Sequence, residues 1–379
     1  MKQNIPSKIL IICGSIEPGK DGVGDYTRIL SNELYRLGMT VRLIALYDKY
    51  VSNVTVEPKL NGGNDFVAVR IPVKLSVNKK IDVFRQELRE FQPDFISIQF
   101  VPFSFNEKGV VAELVYLFSR IKRRPYKWSI TFHELWINEQ DNTKIKIFLW
   151  AKAQRFFIKV FVRLLDNPVL ITTNELYASR FGSKHVNVLS LFGNIKIFSR
   201  PDNKLQYKED SVLRVLLFGS LTTNFEEFKQ QLPLVKSIKD KFFSSVTFLF
   251  VGRQVSSVEI YEKIIHSVLP DAVIEIKGQL PEEKLSITIQ SVDIAISRAG
   301  ADLANKSGST IAILEHGIPV ILRGIRKKIV LADDSWINLI YYPRDIIESL
   351  PEKGTKKSVK YLVANKFINI IYRGQRSNG

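Results

Sequence analysis

The sequence DIAISRAGADLANKSGSTIAILEHGIPVIL, residues 293–322, decides the fold. It predicts a short apolar strand at 293–297, a loop rich in Gly, Ala and Asp at 298–306, and a helix that ends at Gly317. Pro319 then favours an extended backbone that leads into a second strand. A strand, a loop, a helix and a strand in this order form one β/α repeat of a parallel sheet.

The start of this helix has small and hydroxylated residues, which are preferred where helices begin. They are Ser307, Gly308, Ser309 and Thr310. Free N–H groups and the positive end of the helix dipole suit a phosphate there. Lys306 adds a point charge, and we expect the site at the carboxyl end of a strand, where open α/β sheets bind ligands. A solvated surface loop is the alternative for Arg298, Asp302 and Lys306.

Length and composition limit the classes of protein to which the chain could belong. The chain has 379 residues, of which 45% are hydrophobic, and this length favours two domains. No uninterrupted apolar run reaches the roughly 18 residues that span a bilayer, and we interpret the apolar run near the N-terminus as a strand rather than a signal peptide. One cysteine and four histidines exclude internal disulfides and argue against a metal enzyme. We expect a cytoplasmic protein without a metal or cofactor.

The net charge of +17 is high for a soluble metabolic enzyme. It is consistent with an anionic partner, which could be nucleic acid, a phosphorylated substrate or an acidic membrane face. Solubility alone is the alternative explanation, and charge by itself does not choose between them.

Apolar runs alternate with helical patterns along the whole chain, which predicts parallel, doubly wound sheets. Residues 192–211 interrupt this alternation with a polar, charged stretch, and we predict a linker there. The linker separates an N-terminal domain at 1–191 from a C-terminal domain at 212–354. Residues 355–379 form a basic C-terminal helix. Two similar α/β domains predict a ligand cleft between them.

The first strand leads into a glycine-rich loop at 14–26 that allows three interpretations. Gly14 to Lys20 has the spacing of a phosphate loop, but Asp21 stands where Ser or Thr would hold magnesium, and no dinucleotide fingerprint follows the strand. A second interpretation is a loop whose glycines allow close approach of a ligand, formed by Gly22, Val23, Gly24 and Asp25. A flexible β/α turn is the third.

His133 and Glu134 end a strand with a buried pattern. The carboxyl tip of a strand is where an α/β fold places functional side chains. His133 could donate a hydrogen bond to a sugar hydroxyl or a phosphate, and Glu134 could orient it or act as a base. The alternative is a structural histidine whose hydrogen bonds are satisfied.

Residues 143–166 form a helix in which basic residues flank aromatic ones. Its apolar residues cover a wider face than the single stripe that would face a core. This pattern is typical of helices that lie on an anionic membrane surface. A core helix with a wide buried face is an equal alternative. A nucleic-acid partner is less consistent with this pattern, because the aromatic rings are placed for burial rather than exposed for stacking on bases.

Taken in order, these motifs resemble the GT-B glycosyltransferases, specifically family 4 of retaining, nucleotide-sugar-dependent enzymes. The resemblance rests on the loop 22–28, the stretch Thr131–Glu134, the stretch 278–293, Ser307–Ser309 and the turn His316–Val320. It implies two Rossmann-like β/α/β domains that face a central cleft, and a C-terminal helix that returns to the first domain.

The resemblance also implies which residues contact which substrate. The donor diphosphate would contact Gly219, Arg298, Lys306, Ser307–Thr310 and Glu315. The acceptor would enter near Gly22–Asp25 and His133. The chain departs from the family where Ala304 and Ala312 replace its two acids, and where Ser220 and Phe225 replace its Arg and Lys.

These observations predict a glycosyltransferase that moves a sugar from a nucleotide-diphosphate sugar to a glycan or lipid-linked acceptor in surface polysaccharide assembly. By resemblance we expect retention of configuration and no need for a metal. The helix 143–166 predicts a peripheral position on the inner face of the plasma membrane. The alternatives are a sugar-nucleotide epimerase on the same fold, a non-catalytic protein that binds a glycan or a partner enzyme, and a nucleotide triphosphatase.

Overall fold

The computed structural model describes residues 8–57, 66–121, 126–137, 145–182, 185–199, 211–219, 224–252 and 258–376. Contacts divide the chain into two compact units. The first contains the described residues up to Leu189 and those from Lys360 onward. The second is Ser190–Val359.

Fourteen strands lie in the described residues. They are β1 Lys8–Cys13, β2 Thr40–Asp48, β3 Thr55–Glu57, β4 Val67–Pro72, β5 Phe95–Phe100, β6 Lys127–Phe132, β7 Val169–Thr172, β8 Val186–Val188, β9 Val212–Phe218, β10 Ser245–Val251, β11 Val273–Gly278, β12 Ile294–Gly300, β13 Val320–Arg323 and β14 Ile340–Tyr341.

The α-helices of the described residues follow these strands in alternation. They are α1 Gly22–Arg36, α2 Val77–Phe91, α3 Pro102–Phe105, α4 Ala112–Ser119, α5 Ile145–Leu164, α6 Glu175–Ser179, α7 Phe225–Phe242, α8 Val258–His266, α9 Glu282–Ser291, α10 Gly308–Glu315 and α11 Lys360–Arg376. Short 3-10 helices lie at Ala301–Lys306 and Asp334–Leu339.

The first unit is built on an eight-stranded sheet in the order β3-β4-β2-β1-β5-β6-β7-β8. All its neighbouring strands pair in parallel except β3, which is antiparallel to β4. Ile9, Leu10, Ile11 and Ile12 of β1 are all fully buried. A parallel strand that is covered by helices on both faces has such a continuous apolar run.

The second unit has a six-stranded parallel sheet in the order β11-β10-β9-β12-β13-β14. Its core packs apolar residues of the sheet, such as Val215 and Phe248, against helix residues such as Phe228 and Tyr261. Counted along the chain, this strand order is third, second, first, fourth, fifth and sixth, as in a Rossmann-like sheet. The prediction of an α/β fold with two Rossmann-like sheets is therefore confirmed.

Some predicted boundaries are wrong. Residues 298–306 are not a loop, because β12 continues to Gly300 and a 3-10 helix follows. The C-terminal helix begins at Lys360, and residues 355–359 precede it without helical structure. The first unit ends at Leu189, two residues before the predicted boundary. Most of the predicted linker, 200–210, lies outside the described residues.

The C-terminal helix α11 contacts α1 and β7, which both belong to the first unit. The segment 190–199 packs within the second unit instead. There the Phe198 N–H donates to the Ser286 hydroxyl at 3.0 Å, and the Leu191 N–H donates to the Asn305 carbonyl at 3.3 Å. None of the described helices combines the length and apolar character that crossing a bilayer requires.

Candidate functional site

The strand order of the second sheet reverses between β9 and β12, and ligands of open α/β sheets bind beyond the carboxyl ends of the strands at such a point. The chain leaves β9 at Gly219, which has a φ of +93°. A Cβ at Gly219 would lie 3.3 Å from the Cβ of Ser309. The two segments that flank the reversal therefore meet, and a side chain at Gly219 would contact Ser309.

The start of α10 is organised by hydroxyl groups. Ser307 is the N-cap, and its Oγ accepts from the Thr310 N–H at 3.3 Å and from the Thr310 hydroxyl at 2.8 Å. The Thr310 Oγ1 also lies 2.7 Å from the Oγ of Ser297 on β12. The Oγ atoms of Ser307 and Ser309 are 3.2 Å apart. The four hydroxyl groups therefore form a chain of hydrogen bonds from Ser297 through Thr310 and Ser307 to Ser309.

The direction of this hydroxyl chain follows from counting hydrogens, because each hydroxyl holds one. The Ser297 Oγ accepts from the Ala299 N–H at 2.9 Å. Thr310 donates to Ser307, so Ser297 must donate to Thr310. Ser307 already accepts two hydrogens and donates its own to Ser309. The Ser309 hydroxyl, which is half-buried, is then the last member of this series, and its Oγ would lie 3.4 Å from a Cβ at Gly219.

Charged residues flank this helix start. Lys306 ends the 3-10 helix directly before Ser307 and is half-buried. Arg298 lies on β12 with an exposed side chain. Asp302 is exposed and pairs with Lys327, whose Nζ is 3.2 Å from its carboxylate. Lys306 thus lies closest along the chain to the predicted anion site.

Ala304 and Ala312 occupy positions where the resemblance implies acids. Both are buried, with 0% and 1% of their surfaces exposed. A Cβ on Gly193 would lie 2.9 Å from the Cα of Ala312, so the backbone at Gly193 covers that position. These two positions therefore present no surface that a ligand could contact.

Glu315 lies at the last residue of α10, at the opposite end from Ser307. It is fully buried, and its Oε1 accepts from the Val359 N–H at 3.0 Å. Its carbonyl accepts from the Lys357 N–H at 2.8 Å. Glu315 therefore binds the backbone of the segment that leads to α11. The structure does not bring it together with the residues at the start of α10.

In the first unit, carboxylates accept hydrogen bonds from backbone N–H groups of the glycine-rich loop. Asp21 is the N-cap of α1 and accepts from the Val23 N–H at 2.9 Å. Asp25 accepts from the Gly19 N–H at 3.0 Å. A phosphate loop would offer such groups to a nucleotide, so this arrangement argues against a nucleotide triphosphatase.

Gly24 accounts for the close packing of the same loop. A Cβ at Gly24 would lie 2.4 Å from the carbonyl oxygen of Ser15, whereas one at Gly22 would meet nothing within 4 Å. Only glycine at position 24 lets the first turn of α1 approach the end of β1 this closely. Val23 and Asp25 are half-buried beside it.

A network of ion pairs, which the sequence alone did not predict, contacts the same glycine-rich loop. The Arg70 guanidinium lies 2.8 Å from Asp48, 2.6 Å from Glu17 and 3.1 Å from Glu57. Asp48 is fully buried, and it also accepts from the Ser15 hydroxyl at 3.3 Å. Burial disfavours the guanidinium charge, but the three carboxylates outweigh it and raise the pKa of Arg70 above its ordinary value.

His133 follows β6 at the carboxyl edge of the first sheet and is buried. Its Nε2 lies 2.9 Å from the Gln99 Oε1, which can only accept, so Nε2 carries a hydrogen and Nδ1 is the acceptor in the neutral ring. The Tyr26 ring packs edge-on at 4.9 Å, and burial raises the pKa of the Tyr26 phenol. His133 is thus held in one orientation, and Glu134 follows it half-buried.

No group of three or more His, Cys, Asp or Glu side chains in the described part of the chain is arranged to hold a metal ion. No family model matches the chain, and no curated protein matches it in sequence.

Solved structures similar in fold include glycosyltransferases. One is WaaG, a glycosyltransferase involved in lipopolysaccharide biosynthesis, at 11% identity over 97% of this chain and 94% of that chain, with a TM-score of 0.49. HepE from Anabaena, in complex with UDP-glucose, has 13% identity over 98% of this chain and 94% of that chain, with a TM-score of 0.47. A putative UDP-N-acetylglucosamine 2-epimerase from Listeria monocytogenes has 8% identity over 96% of this chain and 88% of that chain, with a TM-score of 0.48.

These likenesses extend over almost the whole chain, but they concern the fold alone. At TM-scores below 0.5 they identify no activity for this chain, and the assignment to family 4 stays a prediction. The residues that bear on function are the linked hydroxyl groups at the start of α10, Gly219 beside them, and those at the carboxyl edge of the first sheet.

Proposed function

We propose that the protein is a glycosyltransferase that binds a nucleotide-diphosphate sugar on its second unit. The observation that carries this proposal is the start of α10, where the terminal hydroxyl of Ser309 and the first-turn N–H groups lie beside Gly219 at the strand-order reversal. Donors that are fixed before the ligand arrives stabilise the charge of a departing diphosphate. Lys306 adds a positive charge at the same place.

The acceptor is proposed to bind at the carboxyl edge of the first sheet. His133 is oriented there by Gln99, and Glu134 is its neighbour as a candidate base. The loop Gly22–Asp25 lies at the end of β1 and is closely packed through Gly24. These roles, together with retention of configuration and transfer without a metal, are proposals that follow from the resemblance.

A panel of nucleotide sugars tests the proposed function. We expect one donor to raise the melting temperature and to release a nucleoside diphosphate when a glycan or lipid-linked acceptor is present. A ligand at 100 times its dissociation constant stabilises a protein by about 2.7 kcal/mol, which a thermal scan detects. Conversion of the donor without an acceptor would indicate an epimerase. Failure of every donor to bind or react would contradict the proposal.

A non-catalytic protein is the second candidate, because Ala304 and Ala312 are buried and offer no acid to a sugar or ribose. It predicts glycan binding without donor binding. Calorimetry with the same panel of donors and a panel of glycans separates the two candidates.

Ser309→Ala should weaken the binding of the nucleoside diphosphate by about tenfold, because a hydrogen bond to a charged group is lost. The melting temperature should stay unchanged, since the Ser309 hydroxyl is the last member of its chain. Ser307→Ala is the matched variant, and it should cost about 1 kcal/mol of stability as the N-cap is removed. Calorimetric affinities and thermal scans of both variants check this. Equal affinity of Ser309→Ala and the parent would remove the Ser309 hydroxyl from the proposed diphosphate site.

A further inference from the structure

The outward face of α5 carries large apolar side chains that the fold leaves exposed. Ile145 is 75% exposed, Leu149 60%, Phe156 60% and Phe148 42%. In chain order they are separated by three, one and seven residues, and this spacing places all four on one side of the helix. We call these four residues the α5 face.

The opposite side of α5 is held firmly against the first unit, so this exposure is a fixed feature of the fold. The Gln154 Nε2 donates to the Lys108 carbonyl at 2.8 Å, and its Oε1 accepts from the Ile137 N–H at 3.0 Å. Trp150 donates its indole N–H to the same Lys108 carbonyl at 2.6 Å. Ile158 and Phe161 complete the buried side.

Positive charge accompanies the α5 face, and helix α5 itself carries no acidic residue. Lys152 and Lys159 fall on the same side of the helix, and the stretch 145–164 contains no Asp or Glu. The Lys152 Nζ lies 5.0 Å from the centre of the Phe148 ring. Within the described residues, Lys146, Lys152 and Lys159 form no ion pair.

We propose that the α5 face docks on an anionic lipid bilayer. Apolar side chains enter the boundary of the acyl chains while lysine side chains extend to the phosphates, as in helices that lie in the interface. Protein interfaces are depleted of lysine. A second copy of the chain would oppose lysines with lysines, so charge complementarity favours lipid.

Docking would also bring the candidate acceptor edge close to the bilayer. α5 begins after the carboxyl end of β6, and its inward side is bonded to Lys108 and Ile137 in the loops that follow β5 and β6. Phe103, in the short helix α3 after β5, is exposed beside Trp150 with ring centres 6.4 Å apart. This position suits an acceptor that is anchored in the membrane. Only this consequence rests on the proposed function; the docking itself does not.

Sedimentation with vesicles tests the proposal. The full chain should bind vesicles of phosphatidylcholine with phosphatidylglycerol, bind pure phosphatidylcholine weakly, and dissociate as potassium chloride is raised. Lys152→Gln and Lys159→Gln should each weaken the binding about fivefold. The pair Leu149→Ser with Phe156→Ser should weaken it by roughly tenfold, without a change in melting temperature because both side chains are exposed.

Val56→Ser is the control, since Val56 is an exposed apolar residue on β3 of the same unit. It should bind vesicles like the parent. Absence of binding to the anionic vesicles, or an equal loss in the Val56→Ser control, would overturn the proposal. So would a stable dimer that Leu149→Ser with Phe156→Ser dissociates, which would assign the face to a second copy. Donor binding, measured in parallel without vesicles, reports on the proposed function separately.

Discussion

Replacing Asp48 by Asn is expected to destabilise the first unit by about 3–5 kcal/mol, which is the usual cost of breaking a buried ion pair. Asp48 is fully buried and faces the guanidinium of Arg70 at 2.8 Å. Its carboxylate also accepts from the N–H groups of Ile16 at 3.4 Å and Tyr50 at 2.9 Å. Every one of these partners is a donor.

Asparagine has nearly the same size but replaces one acceptor oxygen with an NH2 donor. Whichever way the amide turns, a donor faces either the Arg70 guanidinium and Ile16 or the group formed by Ser15 and Tyr50. The buried donors then lose their partners, and such loss costs the full desolvation of each group. Because these bonds anchor the loop after β1, the loss should also loosen residues 15–17.

Glu57→Gln is the matched control, because Glu57 contacts the same guanidinium but its side chain is 34% exposed. We expect a loss below about 1 kcal/mol, as for exposed ion pairs. Urea unfolding followed by tryptophan fluorescence measures both variants, since Trp128, Trp136 and Trp150 all belong to the first unit. Equal losses in the two variants would show that burial of Asp48 does not set the strength of the network.

The sheets could be predicted from the sequence because their signal is local. Each central strand is an apolar run, and each helix between strands has an apolar face, so the alternation is visible without knowledge of contacts. The short strands β3 and β14 and the helix α3 were missed, because two to four residues carry too little pattern.

Part of the candidate site was also predictable, because helix capping depends on neighbouring residues. Ser307 caps α10 as its position predicts. The partners that come from distant parts of the chain could not be predicted. Ser297 reaches Thr310 across the end of β12, and Arg70 joins Asp48 only because β4 pairs with β2. The contact of Glu315 with Val359 could not be predicted for the same reason, since the two residues are distant in the sequence.

The starts of α1 in the first unit and α10 in the second unit differ in the groups that they can accept. At α1, the carboxylates of Asp21 and Asp25 occupy the N–H groups and repel an anion. At α10, neutral hydroxyls cap the helix, and Lys306 precedes it. The electrostatics of these two starts therefore favour an anion at α10 over an anion at α1.

Replacing Gly219 by Val is expected to weaken the binding of the nucleoside diphosphate by at least roughly 100-fold, which corresponds to about 2.7 kcal/mol. A Cβ at this position would lie 3.3 Å from the Ser309 Cβ and 3.4 Å from its Oγ. The two methyl groups of Val add further bulk beside the Ser309 hydroxyl. They would exclude a phosphate and leave that hydroxyl against an apolar surface.

Strain must be separated from this effect, because Gly219 has a positive φ that a β-branched residue rarely adopts. Gly278→Val is the matched control. Gly278 also ends a strand of the second sheet with a positive φ, +62°, but a Cβ there meets nothing within 4 Å. Both variants should lose stability, whereas only Gly219→Val should lose affinity for the nucleotide that stabilises the parent. Calorimetry and thermal scans of the two proteins measure these quantities, and equal affinities would remove Gly219 and Ser309 from the binding site.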